Sequence, residues 1–169
     1  MGSGTTPTIR EATRGDDNAI GDITVAAYAT IDPNLGGYEA VIRDVAGRAK
    51  VATVLVAVEH RQIVGTVTYV GTPGPLSETP DPDAADIRML AVAPDAMGRG
   101  IGRALTQRCI DLARRDRRRR LVLLTRDGMR AAQHLYESLG FRRAVDLDEP
   151  VGGGRMLYGY VLELAAPES

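Results

Sequence analysis

Three glycines at alternate positions, Gly98-x-Gly100-x-Gly102, constrain this chain more than any other feature. Before them runs Asp86 to Val92, a mostly apolar stretch of strand length that ends at Ala93-Pro94-Asp95. After them Ile101, Leu105, Cys109 and Leu112 recur at spacings of four, four and three, the stripe of an amphipathic helix. A residue without a Cβ lets the main chain turn left-handed and lets a ligand approach the backbone closely. The first amides of a helix have no intrahelical partner, and the helix dipole adds partial positive charge to them. A strand, a glycine turn and a helix in that order therefore build a place for a phosphate. Arg99 and Arg103 add two cations to the same turn.

Two familiar phosphate loops do not fit. A Walker loop needs Lys followed by Ser or Thr after its last glycine, and Arg103-Ala104 stands there. A dinucleotide fingerprint needs a small residue at Arg103 and an acid some way beyond, where the chain runs Arg117 to Arg120.

The remaining periodicities place this unit inside one domain. Thr8 to Glu11 reads as a first strand, and Ile20, Ile23, Ala27 and Ile31 as the apolar face of a helix. Tyr38, Val41, Ile42 and Val45 predict a second, shorter helix before Gly47. Thr53 to Glu59 and Gln62 to Val70 read as a hairpin turning at His60 and Arg61. The stretch from Gly71 to Ala85, rich in Pro, Gly and acids, reads as an exposed loop. Leu121 to Thr125 is an apolar strand; Ala131 or Ala132, with Leu135 and Leu139, marks a helix closed by Gly140. Phe141 to Leu147 and Arg155 to Leu164 predict a final strand pair. The order implies a mixed α+β fold, a central sheet of about seven strands flanked by about four helices on both faces. Residues 8–166 form that single domain behind a flexible leader, 1–7.

Charge is unevenly spread: residues 1–85 hold six basic and eleven acidic side chains, residues 86–169 fifteen and eleven. The carboxyl half is the better home for an anion, and 20 of the 21 basic residues are Arg, whose fork suits phosphate. The single Cys109 can form no internal bridge and lies on an apolar stripe, and no Cys/His cluster has metal spacing. No apolar run approaches the length of a membrane span. A cytoplasmic protein without metal, as a monomer or homodimer, is expected.

The stretch DIRMLAVAPDAMGRGIGRALTQRCIDLARR, from Asp86 to Arg115, resembles the acetyl-coenzyme A motif of the GNAT superfamily of N-acetyltransferases. HLYESLGF, His134 to Phe141, resembles that family's second signature at about its usual distance. Two positions depart from the pattern: Met97, where the loop commonly opens with Gln or Arg, and Met129, where many relatives carry a cofactor-touching Asn. The resemblance implies that Leu90 and Val92, with Ala91 between them, present main-chain groups to the thioester and pantetheine arm of acetyl-CoA. It implies that the amides of Gly98, Arg99, Gly100, Ile101, Gly102 and Arg103 hold the pyrophosphate.

Tyr136 is the implied general acid for the departing thiolate. Asp86, where relatives often carry Glu, is the implied base acting on the amine through a water; Glu59 and His60 are weaker candidates in what reads as a polar hairpin turn. The implied reaction is direct transfer of an acetyl group from acetyl-CoA to a primary amine, small or peptidic, with no nucleic acid and no membrane as partner. Another class, a coenzyme-binding sensor without turnover, draws on Met97, Met129 and the short Asp86. The arginines from Arg114 to Arg120 lack interleaved aromatics and read as a solvated helix end, within possible reach of the coenzyme's 3′-phosphate. The acids Asp81, Asp83, Asp148 and Glu149, in loops beside the acceptor entrance, point to a cationic amine.

Overall fold

The computed structural model describes residues 6–165, so residues 1–5 of the leader and Ala166 lie outside the described residues. Eight strands make one sheet: β1 (Thr8–Glu11), β2 (Thr53–Glu59), β3 (Gln62–Val70), β4 (Ala84–Val92), β5 (Arg120–Arg126), β6 (Arg142–Arg143), β7 (Glu149–Pro150) and β8 (Met156–Glu163). Their order is β1-β2-β3-β4-β5-β8-β6, with β7 on β8. Five α-helices accompany them: α1 (Asp17–Ala29), α2 (Tyr38–Arg43), α3 (Val45–Ala49), α4 (Ile101–Arg115) and α5 (Arg130–Ser138). All neighbours are antiparallel except β4 and β5, which the crossover helix α4 joins in parallel.

The alternation along β2 explains why helices cover both faces. Val54 and Val56 point to one side and pack with Ile20 of α1 and Val45 of α3. Leu55 and Ala57 point to the other and join Leu105 and Cys109 of α4, Tyr136 of α5 and Phe141. Cys109 is fully buried and burial pushes its thiol pKa up, so it acts as a small apolar residue. At the hairpin tip His60 and Arg61 both take positive φ, as a tight two-residue turn requires.

The structure departs from expectation in two places. The single helix expected between Tyr38 and Gly47 is two helices broken at Asp44, whose carboxylate accepts from the Gly47 amide and caps the second. The expected strand from Phe141 to Leu147 survives only as the two residues of β6. The Asp148 carboxylate accepts from Arg143 and from the Gly159 amide, pulling the 144–150 segment back across β8. Gly159 permits this crossing, because a Cβ there would lie 2.6 Å from Leu147 Cβ and 2.7 Å from the Ala144 carbonyl oxygen. Gly159→Ala is therefore expected to cost about 2 kcal/mol, read as a lowered midpoint in urea denaturation.

Candidate active site

Where the β4–β5 pairing stops, the sheet opens. The register runs from Ala84 opposite Arg120 to Ile87 opposite Leu123 and ends, although both strands continue. Just past that point β4 bulges: Thr66 and Thr68 of β3 face Ala91 and Arg88, so an extra residue sits on β4, and Met89 takes a φ of 54°. The bulge turns β4 away from β5, and a cavity of about 90 Å³ forms in the gap. Its walls include Leu90, Thr125, Arg126, Met129 and Tyr136, with Tyr28 and Tyr38 from the α1–α2 region across from them.

Main-chain direction in the gap follows from the bonds on its other side. The Ala93 amide donates to the Val64 carbonyl, and the Ala91 carbonyl lies against Gly65, so residues 91 and 93 face β3. Alternation then turns the polar main-chain groups of Leu90 and Val92 toward the opening. Ala91, expected to share that role, spends its backbone on the sheet instead.

The glycine turn beyond β4 is open. Gly98 and Gly100 both have φ of 79°, and nothing lies within 4 Å of a Cβ placed on either. Gly100 is the N-cap of α4 and no side chain caps it. The Gly100 carbonyl accepts from the Ala104 amide, so the amides of Ile101, Gly102 and Arg103 precede the first helical bond. Gly102 serves packing: its Cβ would sit 3.3 Å from Leu135 and 3.7 Å from Val92, where α4, α5 and β4 meet. Arg99 is held by buried Glu59 at 2.9 Å, which makes Glu59 a tether across the turn, and Glu59 is not among the residues that line the cavity. Arg103 donates to Ser138 Oγ at 2.7 Å and has no ion pair among the described residues. An uncapped helix start, two open left-handed glycines and a cation free of carboxylates are what a diphosphate needs. The turn therefore fits the coenzyme that the sequence implies.

Tyr136 reaches the gap from α5, stacked at a tilt on Phe141 and Tyr160. Burial raises its pKa, so the phenol stays protonated. Asp86 is only 1% exposed and lies beneath the 76–83 loop, outside the cavity lining, where it accepts from the Glu78 amide at 2.9 Å. Burial raises its pKa to about 6, against the opposing pull of that amide. The carboxylate that does line the cavity is Glu78, paired with Arg88 at 2.9 Å, its pKa also raised by burial. Glu78 escaped the sequence because it sits in a loop that reads as solvated. Arg88, Thr125 and Arg126 escaped because only tertiary packing gathers them. Met129 lines the cavity, while Met97 is exposed at the lip of the turn.

One expectation is corrected. Asp81 and Asp148 do not wall the acceptor side as free acids, since Arg120 and Arg143 neutralise them. The arginine cluster lies at the far end of α4, a rise of ~22 Å from the glycine turn, as a mostly exposed helix end. Arg115 pairs there with Asp116, and Arg120 with Asp81 and Glu163. A wider groove of about 810 Å³ between the 79–81 segment and β8 is lined by Asp81, Arg120 and Glu163 of this network together with Arg142, Arg143 and Asp146.

Residues 20–141, most of the chain, match the acetyltransferase (GNAT) family. The chain belongs to that family. Its fold agrees: a ribosomal-protein-alanine N-acetyltransferase from Brucella melitensis superposes with a TM-score of 0.71 at 25% identity, over 93% of this chain and 99% of that one. A putative acetyltransferase from Salmonella typhimurium, solved with its cofactor acetyl-CoA, superposes at 0.72 and 24% identity, over 98% and 99%.

Among curated proteins, the chain is 34% identical to zebrafish (Danio rerio) N-acetylaspartate synthetase over 94 residues, which are 56% of this chain and 31% of that protein. It is 41% identical to mycothiol acetyltransferase of Beutenbergia cavernae over 64 residues, 38% of this chain and 22% of that one. The chain thus spans less than a third of the length of these relatives. The GNAT family is one of acyltransferases that use acetyl-CoA. Among the described residues no helix is long and apolar enough to cross a membrane, and no group of three or more His, Cys, Asp or Glu could hold a metal ion.

Proposed function

We propose that this GNAT protein transfers an acetyl group from acetyl-CoA directly to a primary amine. The observation that carries the proposal is the parting of β4 from β5 after Ile87, with Tyr136 in the gap and the uncapped start of α4 beyond it. Acetyl-CoA supplies an activated acyl carbon and a thiolate leaving group. The Gly98–Arg103 turn grips its diphosphate, and the main chain of Leu90 and Val92 aligns the pantetheine arm in place of the missing β5 pairing. An amide aimed at the thioester oxygen stabilises charge that develops there during attack. Tyr136, protonated and desolvated, delivers the proton that the departing sulfur needs. Glu78 stands where an acceptor's ammonium must lose its proton, and Asp86 holds the Glu78 main chain from beneath. The names of two relatives point to amine acceptors, N-acetylaspartate synthetase to an aspartate and ribosomal-protein-alanine N-acetyltransferase to a protein alanine.

Calorimetry with acetyl-CoA, followed by thiol release over an amine panel, tests the proposal. Micromolar binding and amine-dependent thiol are expected; no heat overturns it, and binding without thiol for any amine identifies a sensor.

The buried carboxylates make the site pH-dependent in a direction that can be worked out. The folded-state pKa of Asp86, about 6, lies above its unfolded value of about 4. The native protein therefore binds the extra proton between those values, and this group's contribution to stability falls as pH rises through them. Asp86→Asn is expected to flatten that slope in denaturant titrations across the window. Glu78→Gln is expected to remove the acid limb of kcat/KM, which Asp86→Asn leaves in place.

A further inference from the structure

From the charge around the cavity we infer that the acceptor is an amine that also carries a carboxylate, bound through Arg126 with its amine toward Glu78 and Tyr136. This rests on the acetyl-transfer proposal and adds the substrate class. Two guanidiniums, Arg88 and Arg126, line the 90 Å³ cavity against one carboxylate, Glu78. Arg88 is spent on Glu78, whereas Arg126 shares Asp32 with Arg155, at 3.2 and 3.4 Å. One carboxylate cannot satisfy two planar forks, and Arg155 Nη1, buried at 3.4 Å from Asp32, makes no hydrogen bond among the described residues. Counting these residues gives three cations to two anions.

Three further observations fit an anionic occupant. Arg48 is 5% exposed and donates only to the main-chain carbonyls of Val41 and Ile42; its Nε has no partner among the described residues. A buried guanidinium without a carboxylate is costly unless something nearby compensates it. Thr125 is equally buried and lines the cavity with an unpartnered Oγ1, a donor beside Arg126. Tyr28 and Tyr38, stacked with centroids 6.3 Å apart, close the wall, and the Arg126 guanidinium lies 6.0 Å from the Tyr38 ring. The space suits a few heavy atoms, about three waters' share of liquid volume. An amino group and a carboxylate suit its Glu78 and Arg126 side, whereas a polyamine would add charge to a wall already in cationic excess. The same excess disfavours the ammonium and so helps the amine reach its reactive, neutral form.

Matched pairs test the inference: each α-amino acid against its own carboxamide, with spermidine as a cation. Binding of each to the coenzyme A-loaded protein is followed by saturation-transfer NMR, and turnover by thiol release. The carboxamide's amine is the less basic of each pair, so intrinsic reactivity favours the amide and a preference for the acid reports recognition. The best acid is expected to exceed its amide by about tenfold or more in both affinity and kcat/KM, the scale of one charge-assisted hydrogen bond. Arg126→Gln is expected to shrink that ratio to about threefold or less, and Arg126→Lys to leave it in between.

An amide or spermidine equal to the best acid in the wild-type protein overturns the inference and leaves acetyl transfer standing. Selective binding of acids with no thiol from any amine overturns acetyl transfer and leaves the carboxylate site standing. Neither binding nor turnover of any acid overturns the inference.

Discussion

Tyr136→Phe is expected to lower kcat by about 10²-fold while the KM for acetyl-CoA changes by no more than about twofold. The substitution removes one oxygen. The ring contacts with Phe141 and Tyr160 remain, and the hydroxyl makes no hydrogen bond within the described residues, so the fold loses little. A loss in kcat without a change in KM marks an interaction made in the transition state and not in the ground state. Burial holds the phenol protonated across the working pH range, so the missing function is proton delivery and not a charge. Thiol release in steady state, with calorimetry for acetyl-CoA affinity, separates the two effects. A variant with wild-type kcat would make Tyr136 a packing residue of α5 and move the proton source elsewhere.

Gly100→Asp is expected to weaken acetyl-CoA binding by about 10²-fold, with Gly100→Asn losing less than about tenfold, both read by calorimetry. Gly100 sits at φ 79° with no atom within 4 Å of a Cβ, so neither side chain collides with the protein. Asn and Asp are also the residues that tolerate this conformation best, which keeps the strain alike in both. What distinguishes them is a carboxylate placed among amides that would otherwise face a diphosphate. The gap between the two variants therefore measures electrostatics at the helix start. Its dependence on salt should follow, since an exposed charge is screened over about 10 Å at ordinary ionic strength. Equal affinities for the two variants would place the diphosphate away from this turn.

The parts of this protein legible in its sequence are those fixed by local rules. The stripe of Ile101, Leu105, Cys109 and Leu112 has helical spacing whatever lies around it, and it emerges as the buried face of α4. The β-branched runs of β2 and β3 appear with the boundaries their alternation implies, and Gly140 ends α5 with a φ of 98°. The glycine turn announced a backbone binding site because only glycine adopts left-handed angles there without strain.

Tertiary structure decided the rest, for a common reason: the deciding interactions join residues far apart in the chain. No local pattern marks Met89 as the bulge that parts β4 from β5, since its positive φ is imposed by mismatched pairing with β3. The loop acids read as a cation-attracting wall until Arg120 and Arg143 are seen to neutralise Asp81 and Asp148. Glu78 looks solvated in the sequence, yet packing half-buries it against Arg88, and Arg126 meets Asp32 across 94 positions of chain. Periodicity and backbone freedom are properties of short segments, so the sequence alone determined the elements and the glycine turn. Charge compensation and burial are sums over everything within a few ångströms, so only the folded chain decided which carboxylate lines the cavity and which charges surround it.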